Sequence, residues 1–338
     1  MNSKERIELI LQQKQVDRPI FCPAIYEHKA KLTGKSVSEV AQNAELLCQA
    51  VFAEYEIYRP DMLTVGIDVY NIEAQAIGCG VLFPDAINAV PAIDRRILND
   101  ISEVERLTQP DPEKTERMPL ILETTQAVNK KLGSEVYVRA AISGPYSIAI
   151  ELMSIEPAIM AMMNQPNNFA KLMDFCTEAA INYGRAIIKR GLEVCIFDSY
   201  AAPPLVSPQV YQDMVLPYTQ KLVKELKAAG AKFIEYVVGG NTSPISDSMF
   251  VIGADIILSD FVTDASVFIE KSTNTQTLIR RNISPILIEN GPEQELKEAT
   301  DEAIELVKKY NFIIGTGVLS YNTSIENVLV VKQIIFGN

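Results

Sequence analysis

Short apolar runs alternate with longer amphipathic segments from residue 19 to the end of this chain. Such alternation is typical of repeated βα units on a parallel sheet. The apolar runs predict eight strands, at 19–25, 61–67, 135–142, 193–197, 231–238, 254–258, 284–288 and 311–315. Eight strands with intervening helices predict an α/β protein of the (β/α)8 TIM-barrel type, with functional groups at the carboxyl ends of the strands.

The intervening segments predict the helices and one insertion. Helices are expected at 36–56, 166–190, 207–229, 264–279 and 293–309. Pro217 should interrupt one of them, because proline removes a backbone donor. Segment 68–134 is longer than one crossover needs, and it predicts an extended loop or helical flap after the second strand. We expect one domain over residues 1–338, with an N-terminal helix in 1–18 and the barrel in 19–338.

Composition narrows the class of protein. The chain is 48% hydrophobic and 22% charged, which suits one large core. No apolar stretch is long enough for a membrane span, and the N-terminus is amphipathic rather than a signal peptide, so we expect a cytoplasmic protein that does not bind membranes. The five cysteines lack CxxC spacing, which indicates reduced, mostly buried thiols.

Charge and histidine content exclude several kinds of site. The formal net charge is −12 and basic residues do not cluster, so nucleic-acid binding is not expected. His28 is the single histidine, so a histidine-rich metal site cannot form and a Ser-His-Asp triad could run only through His28.

A ring of polar side chains follows the predicted strands. Carboxylates, phenols and amides in such a ring can orient a small molecule and supply acid or base groups. The predicted catalytic residues are Asp68, Asp198, Glu235 and His28, and the predicted substrate-binding residues are Tyr26, Glu27, Tyr146, Tyr200, Asn241, Asp260, Glu289 and Thr316, with Asn290 beside Glu289.

Several of these residues have a second, structural interpretation. His28 could simply begin a helix, and Asp68 and Asp198 could cap helices. The three tyrosines could pack a lid. Glu235 should point into the barrel one layer below the mouth, because side chains alternate along a strand. There it either pairs with Arg139 or, with a pKa raised by burial, transfers protons.

Five motifs carry a resemblance that covers nearly the whole chain. They are the segment 32–79 that begins LTGKSVSEVAQ and ends AQAIGC, then ISGPYSIA, IFDSYAAPPLVSPQVYQDMVLPY, GGNTSPI and NTSIENV. In this order they resemble the uroporphyrinogen decarboxylase superfamily, and within it the corrinoid-dependent methyltransferases of methanol, methylamine and methoxy-compound metabolism. The resemblance implies a TIM barrel, a role in one-carbon metabolism and a separate corrinoid-binding protein as partner.

The family's zinc site is not matched in this sequence. The thiol-methylating branch implies zinc ligands in an HxCGNT motif and in a GCxxPPxTPxEN motif, where this chain has Val237, Gly239 and Gly317. These side chains offer no ligand atoms, so we expect no zinc.

The decarboxylase residues of the family are matched only in part. Asp68 fits that branch, but Glu151 and Thr316 replace its Tyr and His, and FCPAIYEHKAKL lacks the arginines expected to bind a porphyrinogen. A decarboxylase of this type and a non-catalytic barrel that binds a corrinoid or tetrapyrrole are therefore alternatives.

The favoured hypothesis is a zinc-independent methyltransferase. It would move a methyl group between a corrinoid (cobalamin) protein and a small methoxy or methylamine compound, or tetrahydrofolate. The sequence allows a monomer or a homodimer.

Overall fold

The protein forms a barrel of eight parallel strands surrounded by helices, as a computed structural model that describes residues 1–273 and 275–337 shows. The strands are β1 Phe21–Ala24, β2 Met62–Val65, β3 Gly80–Leu82, β4 Ala92–Arg95, β5 Tyr137–Ser143, β6 Glu193–Phe197, β7 Ile234–Val237, β8 Ile256–Ser259, β9 Leu278–Ile283 and β10 Phe312–Val318. The barrel order is β1-β10-β9-β8-β7-β6-β5-β2. At the seam between β1 and β2, the Asp61 N–H donates to the Phe21 carbonyl at 2.9 Å. The predicted TIM barrel is confirmed.

The helices alternate with the strands, and several begin at capping side chains. They are α1 Ser3–Leu11, α2 His28–Lys31, α3 Val37–Ala41, α4 Ala44–Tyr58, α5 Asn71–Ile77, α6 Met118–Leu132, α7 Pro145–Met153, α8 Ile155–Asn164, α9 Pro166–Ile188, α10 Pro208–Val210, α11 Leu216–Ala228, α12 Ser246–Val251, α13 Ala265–Ser272, α14 Pro285–Asn290, α15 Glu293–Lys309 and α16 Ile325–Phe336. The helix predicted at 36–56 is two helices, because Asn43 caps α4 by accepting from the Leu46 N–H at 3.0 Å.

The insertion after the second strand is a flap. Helix α5 is followed by an antiparallel hairpin of β3 and β4, which lies outside the barrel sheet. Helix α6 then returns the chain to β5. The predicted extended flap after the second strand is therefore confirmed.

One predicted strand is wrong. Residues 285–288 belong to helix α14, which Ser284 caps by accepting from the Leu287 N–H, and Pro285 occupies the first turn. The barrel strand in this part of the chain is β9. Its sequence, LIRRNI, contains two arginines and an asparagine, which interrupt the apolar run. The helix predicted at 264–279 consequently runs too far, since α13 ends at Ser272.

The predicted interruption at Pro217 is present. Residues Tyr211–Val215 form a π-helical turn between α10 and α11, immediately before Leu216 and Pro217. A proline lacks the N–H that a regular helix would need at this position, so the chain widens its turn ahead of it.

The barrel interior is built in layers. An apolar layer near the amino ends of the strands includes Ile20, Met62 and Phe233 and is covered by Ile7 of α1. A second apolar layer near the carboxyl ends includes Phe197 and Leu258. Between them lies a charged layer made of Arg139, Glu235 and Arg280, all at most 3% exposed. The barrel core therefore contains a buried ion cluster as well as apolar side chains.

All five cysteines are free, and four of them are buried. Their burial agrees with the prediction of mostly buried thiols. Within residues 1–273 and 275–337, no single helix is long and apolar enough to cross a membrane, and α7 with α8 reaches that length only as a pair bent by 107°.

Candidate active site

The carboxyl ends of the strands surround a cavity of about 340 Å³, which we call the mouth cavity. Its walls combine barrel-strand ends, the segment after β5 and the flap. The lining residues are Tyr26, Glu27, Ile67, Asp68, Val69, Asn71, Val90, Pro91, Ala92, Ile93, Arg96, Glu151, Tyr200 and Val318. Four of the predicted site residues, Tyr26, Glu27, Asp68 and Tyr200, are thus brought together here.

The floor of the mouth cavity is apolar. Tyr26 packs edge-on against Phe197, with ring centroids 5.5 Å apart. Val237 and Leu258 complete the same buried cluster. This floor separates the cavity from the charged layer below, and it offers an aromatic surface to a bound molecule.

Asp68 is held by Arg117, the residue that immediately precedes α6. The Arg117 Nη1 atom donates to both carboxylate oxygens of Asp68, at 2.9 and 2.8 Å. Asn71 donates to Asp68 at 3.1 Å and to the Pro91 carbonyl of the flap at 2.7 Å. Burial raises the pKa of Asp68 while the Arg117 charge opposes that rise. Asp68 therefore anchors the flap to the barrel as well as facing the cavity.

Glu151 is the centre of a second polar group. It accepts a hydrogen bond from the Tyr200 hydroxyl at 2.7 Å, and the Arg96 guanidinium of the flap lies 3.4 Å from its other oxygen. Tyr200 in turn packs against Tyr70 at 5.5 Å between ring centroids. Glu151 therefore links the segment after β5, the loop after β6 and the flap across the cavity.

Glu27 has a different environment. Its partly buried side chain lines the cavity, and no other residue in the described part of the chain forms a hydrogen bond or ion pair with its carboxylate. Burial raises the pKa of Glu27, with only its own backbone N–H opposing the shift. Glu27 is thus available to a bound molecule.

Asp198 lies outside the mouth cavity. It is completely buried, accepts from the Ser147 N–H at 2.7 Å and lies 3.4 Å from the Tyr236 hydroxyl. Burial raises the pKa of Asp198 to about 6. The Asp198 carboxylate therefore caps the first turn of α7, a helix that precedes Asp198 in the chain.

Glu235 forms the predicted pair with Arg139 and also binds Arg280. Arg139 donates to one carboxylate oxygen, and the Arg280 Nη1 atom donates to the other at 2.8 Å. Although burial acts to raise the pKa of Glu235, the two guanidinium charges together hold it below its usual value. The prediction of a raised pKa for Glu235, on which a proton-transfer role depends, is therefore wrong.

His28 points into the wall of the barrel. Its Nε2 atom lies 2.7 Å from the Tyr58 hydroxyl and its Nδ1 atom 3.2 Å from the Ser320 carbonyl. The ring is fully buried, and burial lowers the pKa of His28 to about 4. The structural interpretation of His28, at the start of α2, matches this position.

The other predicted residues also lie outside the mouth cavity. Tyr146 is buried on α7. Asn241 is exposed, and its Oδ1 atom accepts a hydrogen bond from the Ser243 N–H. Thr316 accepts from the Ala24 N–H at 2.9 Å and so ties β10 to β1. Asp260 accepts from the Gly240 N–H at 2.8 Å.

Glu289 and Asn290 also lie away from the cavity, because they belong to α14 rather than to the end of a strand. Glu289 accepts hydrogen bonds from Ser320 and Thr323, at 2.5 and 3.3 Å. The prediction that places Glu289 and Asn290 at the mouth depends on the strand at 284–288, which is wrong.

Two positions that the resemblance aligns with zinc ligands differ in the space around them. At Gly239 a Cβ atom would lie 3.4 Å from the Ser199 hydroxyl, an ordinary contact. At Gly317 it would lie 2.5 Å from Pro285, so α14 occupies the space that a side chain would need. No group of three or more His, Cys, Asp or Glu side chains suited to a metal occurs in the described ranges.

The fold is a TIM barrel with a cavity at the carboxyl ends of its strands. The uroporphyrinogen decarboxylase (URO-D) family model matches residues 2–335, and the chain belongs to that family. The predicted resemblance is therefore confirmed at the level of the family.

Curated relatives include two kinds of enzyme. The methylcobamide:CoM methyltransferase MtbA of Methanosarcina acetivorans is 23% identical over 326 residues, covering 94% of this chain and 91% of the relative. The uroporphyrinogen decarboxylase of Prochlorococcus marinus (strain AS9601) is 25% identical over 295 residues, covering 84% and 82%. Among solved structures, a methyltransferase from Methanosarcina mazei superposes with a TM-score of 0.89 at 21% identity, covering 100% of this chain and 99% of that one.

Proposed function

We propose that the protein is a methyltransferase that moves a methyl group between a small molecule in the mouth cavity and a corrinoid presented by a partner protein. The observation that carries this proposal is a set of exposed apolar side chains on the carboxyl-end side of the barrel, which we call the apolar rim; two of them, Val90 and Val318, line the mouth cavity. Of the exposed large apolar side chains in the described ranges, all but Met1 and Val251 lie at the last residue of a barrel strand or between that strand end and the helix that returns the chain along the barrel. The rim consists of Leu82, Ile87, Val90, Met160, Met163, Leu205, Val262, Ile286 and Val318.

An apolar rim of this kind is typical of a surface that another protein covers. Met160 and Met163, at 52% and 74% exposed, add flexible side chains that can adapt to a partner. The mouth cavity, at about 340 Å³, lies near the lower end of small-molecule sites and is too small for a whole corrin ring with its side chains. A corrinoid would therefore approach from outside, over the rim.

The size of the cavity determines what the barrel and the corrinoid partner each contribute. A reduced corrinoid supplies a strong cobalt nucleophile, so the barrel has to align the methyl group and exclude water. Tyr26 and the apolar floor set the depth of the bound molecule, and Glu27 and Tyr200 set its orientation. The sequence motifs leave the small molecule open among methoxy compounds, methylamines and tetrahydrofolate.

Zinc independence is supported by the positions of Val237, Gly239 and Gly317. None of the three supplies a ligand atom, and Pro285 crowds the space beside Gly317. Without zinc a thiol acceptor lacks its activation, so the proposal does not include a thiol substrate.

Uroporphyrinogen decarboxylation is supported less well. Its substrate carries many carboxylates, while the mouth cavity presents Glu27, Asp68 and Glu151. Both arginines near this site, Arg96 and Arg117, already face carboxylates. The buried carboxylates Asp68 and Glu151 in the cavity lining also favour catalysis over a barrel that only binds a tetrapyrrole, since buried carboxylates are costly to keep.

The proposal is tested by visible spectroscopy of corrinoids under anaerobic, reducing conditions. We expect methyl transfer between a corrinoid protein and either tetrahydrofolate or a methoxy or methylamine donor, with no effect of a metal chelator. Transfer restricted to thiols and abolished by chelator would contradict zinc independence. Decarboxylation of uroporphyrinogen without any methyl transfer would contradict the proposed function.

A further inference from the structure

We propose that the molecule bound in the mouth cavity is a methylated ammonium cation, held by Glu27 against the aromatic rings of Tyr26 and Tyr200. This inference rests on the proposed function and narrows its substrate class. It is argued from the charges that line the cavity, from its aromatic walls and from the chemistry of the leaving group.

Glu27 is the carboxylate of the cavity that lacks a counter-charge in the described part of the chain. Asp68 faces Arg117 at 2.8 Å, and Glu151 faces Arg96 at 3.4 Å. These two carboxylates are therefore neutralised by arginines. When ionised, Glu27 carries a negative charge that no arginine or lysine in the described part of the chain pairs with.

The cations beneath the floor are committed to other partners. Lys29 is fully buried, donates to the Thr64 carbonyl at 2.8 Å and lies 3.3 Å from Glu54. Arg139 and Arg280 both bind Glu235. Since these side chains are all buried, none of them can turn toward Glu27 without leaving a buried partner unpaired.

The walls suit a bulky cation without hydrogen-bond donors. The ring of Tyr26 lines the cavity above Phe197, and the ring of Tyr200 lines it beside Tyr70. Aromatic faces attract quaternary ammonium groups through the quadrupole of the ring. Ile67, Val69, Ile93 and Val318 supply apolar surface for the methyl groups.

The leaving group favours a cation as well. When a methyl group leaves a quaternary ammonium ion, the N–C bond breaks and its electron pair stays on nitrogen, which departs as a neutral amine. The corrinoid supplies the electron pair for the new bond to the methyl carbon, so no proton is needed. An ether would instead leave as an alkoxide beside the unbalanced carboxylate of Glu27, where like charges repel.

The test is calorimetric binding to the purified full-length protein without corrinoid. The probes are choline and its neutral isostere, in which a tert-butyl group replaces the trimethylammonium group. We expect choline to bind the wild type at least tenfold more tightly than the isostere. Glu27→Gln should lose that preference, while Glu298→Gln, at an exposed position on α15, should keep it.

Equal binding of the two probes to the wild type, absence of choline binding, or an unchanged preference in a folded Glu27→Gln variant would each overturn the inference. Circular dichroism establishes that the variant is folded. Because no corrinoid is present, the binding result does not depend on whether the protein transfers methyl groups. Methyl transfer from methoxy donors without choline binding would support the proposed function and contradict the inferred ammonium substrate.

Discussion

Replacing Glu235 by glutamine should lower the free energy of unfolding by about 3–5 kcal/mol, because it leaves two buried guanidinium groups without an anion. Arg139 and Arg280 are 2% and 3% exposed, and both donate to Glu235. Glutamine can accept a hydrogen bond through its one carbonyl oxygen, but it carries no charge. Urea denaturation of Glu235→Gln and the wild type measures this difference.

Glu225→Gln is the matched control. Glu225 pairs with Arg185 at 2.7 Å on the surface, where the two side chains are 36% and 46% exposed. Solvent screens that pair, so its loss should change stability by less than about 1 kcal/mol. If Glu235→Gln were as stable as Glu225→Gln but inactive, Glu235 would have a chemical role and the structural assignment would be wrong.

Gly144→Ala should lower stability by about 1–3 kcal/mol through overpacking. An added Cβ atom at Gly144 would lie 2.3 Å from Cγ of Asp198, a separation that requires the carboxylate to move. Asp198 would then lose its bond to the Ser147 N–H and leave the first turn of α7 uncapped. Thermal unfolding followed by circular dichroism measures the loss.

Gly239→Ala provides the comparison for Gly144→Ala. The Cβ atom at Gly239 would meet Ser199 Oγ at 3.4 Å and Asp260 Oδ2 at 3.6 Å, so the neighbours need to shift little. We expect this variant to unfold close to the wild-type temperature. Equal melting temperatures for the two variants would show that the loop around Gly144 yields without cost, contrary to the packing described here.

The sequence predicted the barrel because most strands are apolar runs between amphipathic helices. The run EVCIF coincides with β6, and helix α15 has the predicted bounds of 293–309. β9 escaped detection because Arg280 and Asn282 point inward, where Glu235 and Asp260 compensate them. Because Glu235 and Asp260 lie in other parts of the chain, the local pattern of apolar residues does not reveal these contacts.

The candidate site was predictable only in part for the same reason. Strand ends identified Tyr26, Glu27 and Asp68, because residues after parallel strands meet at one end of a barrel. Arg96 and Arg117 reach the site from the flap and from the residue before α6, far along the chain from the carboxylates that they bind. Their signal in the sequence was limited to the unusual length of segment 68–134.

Glu151 shows a related limit. It was recognised only as the residue that replaces a family tyrosine, and its role emerges from its contacts with Tyr200 and Arg96. Alternation along β7 was more informative, since it indicated correctly that Glu235 points into the barrel beside Arg139.

The decisive measurement is the rate of methyl transfer to or from a corrinoid protein in Met163→Glu, with Val251→Glu as control. Met163 belongs to the apolar rim, whereas Val251 lies at the end of α12 before β8, and both are more than half exposed. At limiting corrinoid protein we predict at least a tenfold slower rate for Met163→Glu, recovered at higher concentration, and a wild-type rate for Val251→Glu. Equal rates in the two variants would contradict docking of a corrinoid protein over the mouth of the barrel.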